Sequence, residues 1–107
     1  MKPEVSIIIP CYNQAHFLPE AVLSVVNQIF TDWECIIVND GSSDNTPQIA
    51  NSLIMQYSKK QIRLINQENK GLSEARNAGI KASKGKYILP LDADDLIHPE
   101  MLQKTVS

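Results

Sequence analysis

Four short apolar runs are spaced along the chain with helical patterns between them. Val5–Ile9, Glu34–Val38, Ile62–Asn66 and Tyr87–Leu91 are rich in β-branched and aromatic residues and read as strands. Ile7-Ile8-Ile9 and Ile36-Ile37-Val38 are continuous rather than alternating, as expected of central strands covered on both faces. Phe17, Leu18, Ala21, Val22 and Val25 recur at helical spacing, with Glu20, Ser24, Asn27 and Gln28 on the opposite side. Pro19 suits only a first turn, which puts the start of this helix at about His16. A second helix is expected from Asp44–Thr46, where short polar side chains can cap free amides and Pro47 fits the first helical position. Ile49, Leu53 and Tyr57 form its inward face. The third follows Gly71 and runs to about Ser83, with Gly85 closing it, and a last helix is expected from Pro99. Strands alternating with helices predict an α/β fold: a Rossmann-like open, mainly parallel sheet of about four strands with flanking helices.

The third helix carries one anomaly. At about 100° per residue, Leu72, Ala75, Gly79 and Ala82 share a side, a small-residue stripe suited to packing on a sheet. Arg76 falls on that side too. A guanidinium there either snorkels to solvent from the first turn or finds anionic partners, and the nearest carboxylates at a strand end are Asp92 to Asp95.

Length and composition narrow the classes. The 107 residues suit one domain, and 43% hydrophobic with 21% charged residues is ordinary globular composition. A net charge of -2 without a Lys/Arg cluster argues against binding nucleic acid. Cys11 and Cys35 lie in apolar runs, outside any zinc or redox spacing, and read as buried free thiols. No stretch has the length of a membrane span, no signal-peptide core follows Met1, and Asn-x-Ser/Thr sequons are absent. The expected location is cytoplasmic, with membrane association left open for a longer protein.

Ligands of open parallel sheets bind beyond the carboxyl ends of the strands, and all four ends here are polar. They carry Pro10-Cys11-Tyr12-Asn13, Asn39-Asp40-Gly41-Ser42-Ser43-Asp44, Asn69-Lys70-Gly71 and Asp92-Ala93-Asp94-Asp95. Tyr12 can offer a ring face to a base or pack as a rim aromatic. Asp40 is placed to accept from a base imide N–H, whereas Ser42, Ser43 and Asp44 are also what a tight turn with an N-cap uses. Three aspartates within four residues repel unless a cation relieves them, and hard oxygen donors at that density suit Mg²⁺ or Mn²⁺. A helix N-terminus accounts for one of the three at most. There is no G-x-G-x-x-G, no P-loop, no EF-hand loop and no readable Ser/His/Asp or Cys/His system.

Taken in order, these four motifs resemble the inverting family-2 glycosyltransferases of the GT-A fold. The likeness runs from Val5 to about Met101 and includes Asn69-Lys70-Gly71-Leu72-Ser73-Glu74-Ala75-Arg76-Asn77-Ala78-Gly79. Cys11 departs mildly from the Thr or Ser usual in the family. The resemblance implies a nucleoside-diphosphate sugar donor, UDP-linked by preference, with Pro10, Tyr12, Asn13, Asp40, Arg76 and Asp92 binding the nucleotide. Tyr12 would flank the base, Asp40 would bond its imide, Asp92 would contact ribose or phosphates, and Asp94 would ligate Mn²⁺ or Mg²⁺. The family's general base lies well downstream of the metal motif, so it is expected beyond Ser107, and no catalytic residue is expected within residues 1–107. These residues are therefore expected to be the nucleotide-sugar-binding portion of a GT-A domain, cut before the acceptor half and inactive alone. An open sheet edge raises the expectation of a homo-oligomer. The competing readings are a nucleotidyltransferase, which usually shows a Gly-rich basic loop after the first strand, and a non-catalytic α/β nucleotide-binding module.

Overall fold

The computed structural model describes residues 2–106. Ser107, the residue beyond which the general base is expected, lies outside the described residues. The element order is β1 (Val5–Cys11), α1 (Leu18–Val26), β2 (Trp33–Asp40), α2 (Thr46–Gln56), β3 (Ile62–Gln67), α3 (Leu72–Ala82), β4 (Tyr87–Pro90) and α4 (Met101–Val106). The sheet order is β3-β2-β1-β4, and every pairing is parallel. The expected architecture is therefore the observed one. The continuous apolar runs are the two central strands, and every residue of β1 and β2 is buried.

Alternate strand residues feed two separate cores, as the two-residue period of a strand requires. Val5, Ile7, Ile9, Cys35 and Ile37 meet Leu18, Val22 and Val25 of α1, Ala50 and Leu53 of α2, and Leu102 of α4. Ile8, Ile36 and Val38 point the other way, onto Ala75 of α3, with Ala78 and Ala82 alongside. Gly79 lets α3 sit this close, because a Cβ there would collide with Ile8 Cγ2. Cys11 and Cys35 are both buried and free, and burial pushes both thiols up, Cys35 to about 12.

Two prolines fit the strand order. Pro90 ends β4, an edge strand, where one side of the backbone has no partner to lose. Pro10 lies in central β1, but β4 pairs with β1 only from Val5 to Ile8, so the N–H that Pro10 lacks is not missed there.

Several boundaries differ from expectation. Helix α1 starts at Leu18, because Phe17 and Leu18 first make tight-turn bonds to the carbonyls of Gln14 and Ala15. Helix α4 starts at Met101, beyond Pro99. Gly85 does not cap α3. The helix leaves through Ser83 in an extended conformation, and Gly85 instead presses on β1, where a Cβ would meet Ser6 N at 2.6 Å. Leu72 begins the small-residue stripe yet stays half exposed, since the first turn of α3 overhangs the end of the sheet. Among the described residues no helix is long and apolar enough to cross a membrane.

Candidate functional site

A cleft of about 320 Å³ opens at the carboxyl end of the sheet, a size ordinary for a small-molecule site. Pro10, Tyr12, Asp40, Asp92 and Asp94 line it, together with Cys11, Gln14, Asn69, Gly71, Leu72 and Ala75. Five of the seven residues singled out from the sequence thus share one cavity. Asn13 and Arg76 are not in its lining.

Asp40 ends β2 and is 3% exposed. Its Oδ1 accepts from Gln67 Nε2 at 2.9 Å and from the Lys70 N–H at 2.8 Å, and its Oδ2 accepts from the Gly71 N–H at 3.0 Å. Burial alone raises the pKa of this carboxyl, but the three bonds outweigh it and hold it below the usual range. Asp40 therefore pins the β3–α3 loop as well as lining the cleft. Gly41, at φ +66°, permits the close approach this needs, since a Cβ would lie 2.5 Å from Asn69 N. Asn69 Nδ2 returns a bond to the Asp40 carbonyl at 3.1 Å.

Asn13 sits in the left-handed region at φ 53°. Its Oδ1 accepts from the Ser43 N–H at 2.7 Å and the Asp44 N–H at 3.3 Å, and its own N–H donates to Ser42 Oγ at 3.0 Å. Asp44 adds a bond from the Ala15 N–H at 3.1 Å and accepts the Thr46 N–H, at the start of α2, at 3.0 Å. Burial raises the Asp44 pKa, but these bonds bring it below its ordinary value. The loops after β1 and β2 are thus laced together, with Tyr12, half exposed, held at the rim.

Arg76 faces the aspartates, as its place on the helical wheel suggests. Its NH2 group meets Asp92 Oδ1 at 3.1 Å, with each side chain about two-fifths exposed. Its Nε–H is buried without an acceptor. Asp92, Asp94 and Asp95 each bring a carboxylate oxygen to within 4.8 Å of the others. Hard carboxylate oxygens gathered in this way are donors of the kind that suit a divalent cation such as Mg²⁺ or Mn²⁺. The ion pair compensates Asp92 alone: among the described residues no side chain or amide bonds the carboxylates of Asp94 or Asp95.

Gln14, Leu72 and Ala75 join the lining without having been singled out from the sequence. Ala75 and Leu72 carry helical packing signals that a cleft wall at the end of a sheet shares, and Gln14 has no local signal at all.

The model of the family described as Glycosyl transferase family 2 matches residues 6–107. The chain is 45% identical over 106 residues to the uncharacterized glycosyltransferase EpsJ of Bacillus subtilis, covering 97% of this chain and 30% of EpsJ. It is 40% identical over 101 residues to the chondroitin synthase of Pasteurella multocida, covering 94% of this chain and 10% of that one. Among solved structures, S. aureus TarS 1-349 in complex with UDP superposes with a TM-score of 0.84 at 30% identity, covering 96% of this chain and 31% of TarS. The mannosyltransferase PcManGT of Pyrobaculum calidifontis, solved with GDP-Man and Mn2+, superposes at 0.91 over 99% of this chain and 32% of its own, and at 24% identity shares the fold. With a family model spanning nearly its whole length and a GT-A-like sheet carrying the four motifs, the chain belongs to glycosyl transferase family 2.

Proposed function

We propose that the chain is the donor-binding part of a glycosyltransferase, holding a nucleoside-diphosphate sugar, UDP-linked by preference, together with Mn²⁺ or Mg²⁺. The observation that carries this reading is one cleft that gathers Tyr12, Asp40, Asp92 and Asp94, beside carboxylates with no compensating partner among the described residues. The UDP and UDP-GlcNAc complexes of TarS support the donor class, and the Mn2+ complex of PcManGT supports the ion.

In this reading the base lies against Tyr12, with its imide toward Asp40. That contact is made alongside the bonds the Asp40 carboxylate already accepts from Gln67, Asn69, Lys70 and Gly71, so Asp40 binds and braces at once. Asp92 meets the ribose or phosphates with its charge balanced by Arg76, and the buried Arg76 Nε–H is a donor available to an anion. Asp94 ligates the ion, with Asp95 within reach. Once bound, the ion neutralises charge on the diphosphate as a Lewis acid. Transfer is an inverting displacement by an acceptor hydroxyl, which requires a base. Asp40, Asp92 and Asp94 are each used in holding the donor in this reading, and by likeness to the family the base is assigned to the acceptor-binding half of such enzymes, downstream of the metal motif. The 107 residues alone then bind donor without transferring sugar.

Calorimetric titration with UDP tests the first claim: binding is expected with Mn²⁺ and lost with a chelator, and binding indifferent to metal refutes the reading. Incubation with several sugar nucleotides, Mn²⁺ and mixed acceptors tests the second, which clear transferase turnover would refute.

A further inference from the structure

We infer that Ser42 is a positioning residue for the base-binding ring of Tyr12, an inference that rests on the donor reading above. The Ser42 hydroxyl does two things at once. It accepts the Asn13 N–H at 3.0 Å and donates to the Cys11 carbonyl at 3.3 Å. Those groups belong to the peptide bonds immediately after and immediately before Tyr12, so one oxygen grips the backbone on both sides of that residue. The grip is itself anchored, since the Ser42 N–H donates to Asn39 Oδ1 at 3.1 Å, and Asn39 Nδ2 donates to Asn66 Oδ1 on β3 at 3.0 Å. Ser42 also follows Asp40 by two residues. The ring face and the carboxylate edge that a base would meet are thus held in one relation by a single side chain.

The arrangement matters because the Tyr12 side chain has no hydrogen bond of its own among the described residues. It is half exposed at the rim, and Asn13 beyond it occupies a left-handed conformation that costs energy outside glycine. Without the hydroxyl, the Tyr12 backbone would keep the end of the β1–β2 pairing at Cys11 on one flank and the Asn13 and Ala15 bonds on the other, with nothing spanning the two. A hydroxyl making two bonds is worth about tenfold in an equilibrium constant. Here that factor falls on the fraction of molecules with the ring in place, and so on nucleotide affinity.

The test is a double-mutant cycle on UDP affinity in Mn²⁺, using Ser42→Ala, Tyr12→Ala and the pair, with Ser42→Thr as the conservative variant. Ser42→Ala is expected to weaken UDP about tenfold with little change in melting temperature. Ser42→Thr should restore binding, and Ser42→Ala should cost nothing further once Tyr12 is alanine. An equal loss with and without Tyr12, or no rescue by threonine, overturns the inference. Amide hydrogen exchange without nucleotide probes the clasp independently. Exchange at Asn13 should quicken in Ser42→Ala while Ile8 in the central strand stays protected, and unchanged protection at Asn13 overturns the clasp. If the wild-type chain binds no UDP, it is the donor reading that falls, and the exchange result still decides whether Ser42 holds the loop.

Discussion

The two ends of the sheet treat their carboxylates in opposite ways. At the amino-terminal end Glu34 is buried and fully engaged. Ser6 Oγ donates to it at 2.6 Å, the Lys84 N–H at 2.6 Å, and Arg63 NH2 at 2.9 Å. Burial raises its pKa, but those donors together hold it below the ordinary 4.5. At the carboxyl end Asp94 and Asp95 stand exposed beside Asp92 with no donor of their own among the described residues. A carboxylate that serves the fold is saturated by the chain, whereas one kept for a ligand is left with open lone pairs. Asp40 lies between these extremes, bonded by the neighbouring β3–α3 loop yet facing the cleft.

If that contrast is right, Glu34→Ala is the more damaging change to the fold. It strands the Ser6 hydroxyl and the Lys84 amide and should cost about 2–3 kcal/mol in chemical denaturation, Arg63 keeping its bond to the Ala82 carbonyl and access to solvent. Acid should reveal the same division. Glu34, Asp40 and Asp44 all have folded pKa values below their ordinary ones, so their contribution is complete above about 4.5 and is lost as pH falls through the lowered values. Melting temperature is therefore expected to be flat from neutral pH down to about 5 and to drop below about 4. A melting temperature that falls steadily from pH 7 would show that these bonds are not what ties stability to pH. The smallest effect on stability is expected from Arg76→Ala, under about 1 kcal/mol because the pair with Asp92 is open to solvent. The same variant should weaken UDP by about tenfold, placing Arg76 with the site rather than with the scaffold.

Much of this was legible in the chain because it is local. Continuous runs such as Ile36-Ile37-Val38 announce central parallel strands, Pro47 and Gly71 mark helix starts, and the helical period puts Arg76 on the sheet-facing side, where solvent and the aspartates are both open to it. What could not be read depends on which loops the strand order makes neighbours. The grip of Lys70 and Gly71 on Asp40 exists because β3 lies beside β2, and the pressure of Gly85 on Ser6 exists because β4 lies beside β1. Nothing near residue 85 in sequence distinguishes that role from a helix cap. The place of Ser42 is hidden in the same way, since turn chemistry explains a serine after Gly41 equally well until the β1 and β2 loops are seen to touch.

The central claim is that the uncompensated carboxylates at the carboxyl end hold the ion that accompanies the nucleotide. Paramagnetic broadening of backbone amide signals by Mn²⁺ in the presence of UDP tests it most directly. Broadening is expected to be strongest around Asp92 to Asp95, to extend over the cleft lining including Tyr12 and Gly71, to be weakest around Glu34, and to be lost in Asp94→Asn with no fall in melting temperature. Broadening centred elsewhere, or unchanged in Asp94→Asn, would contradict it.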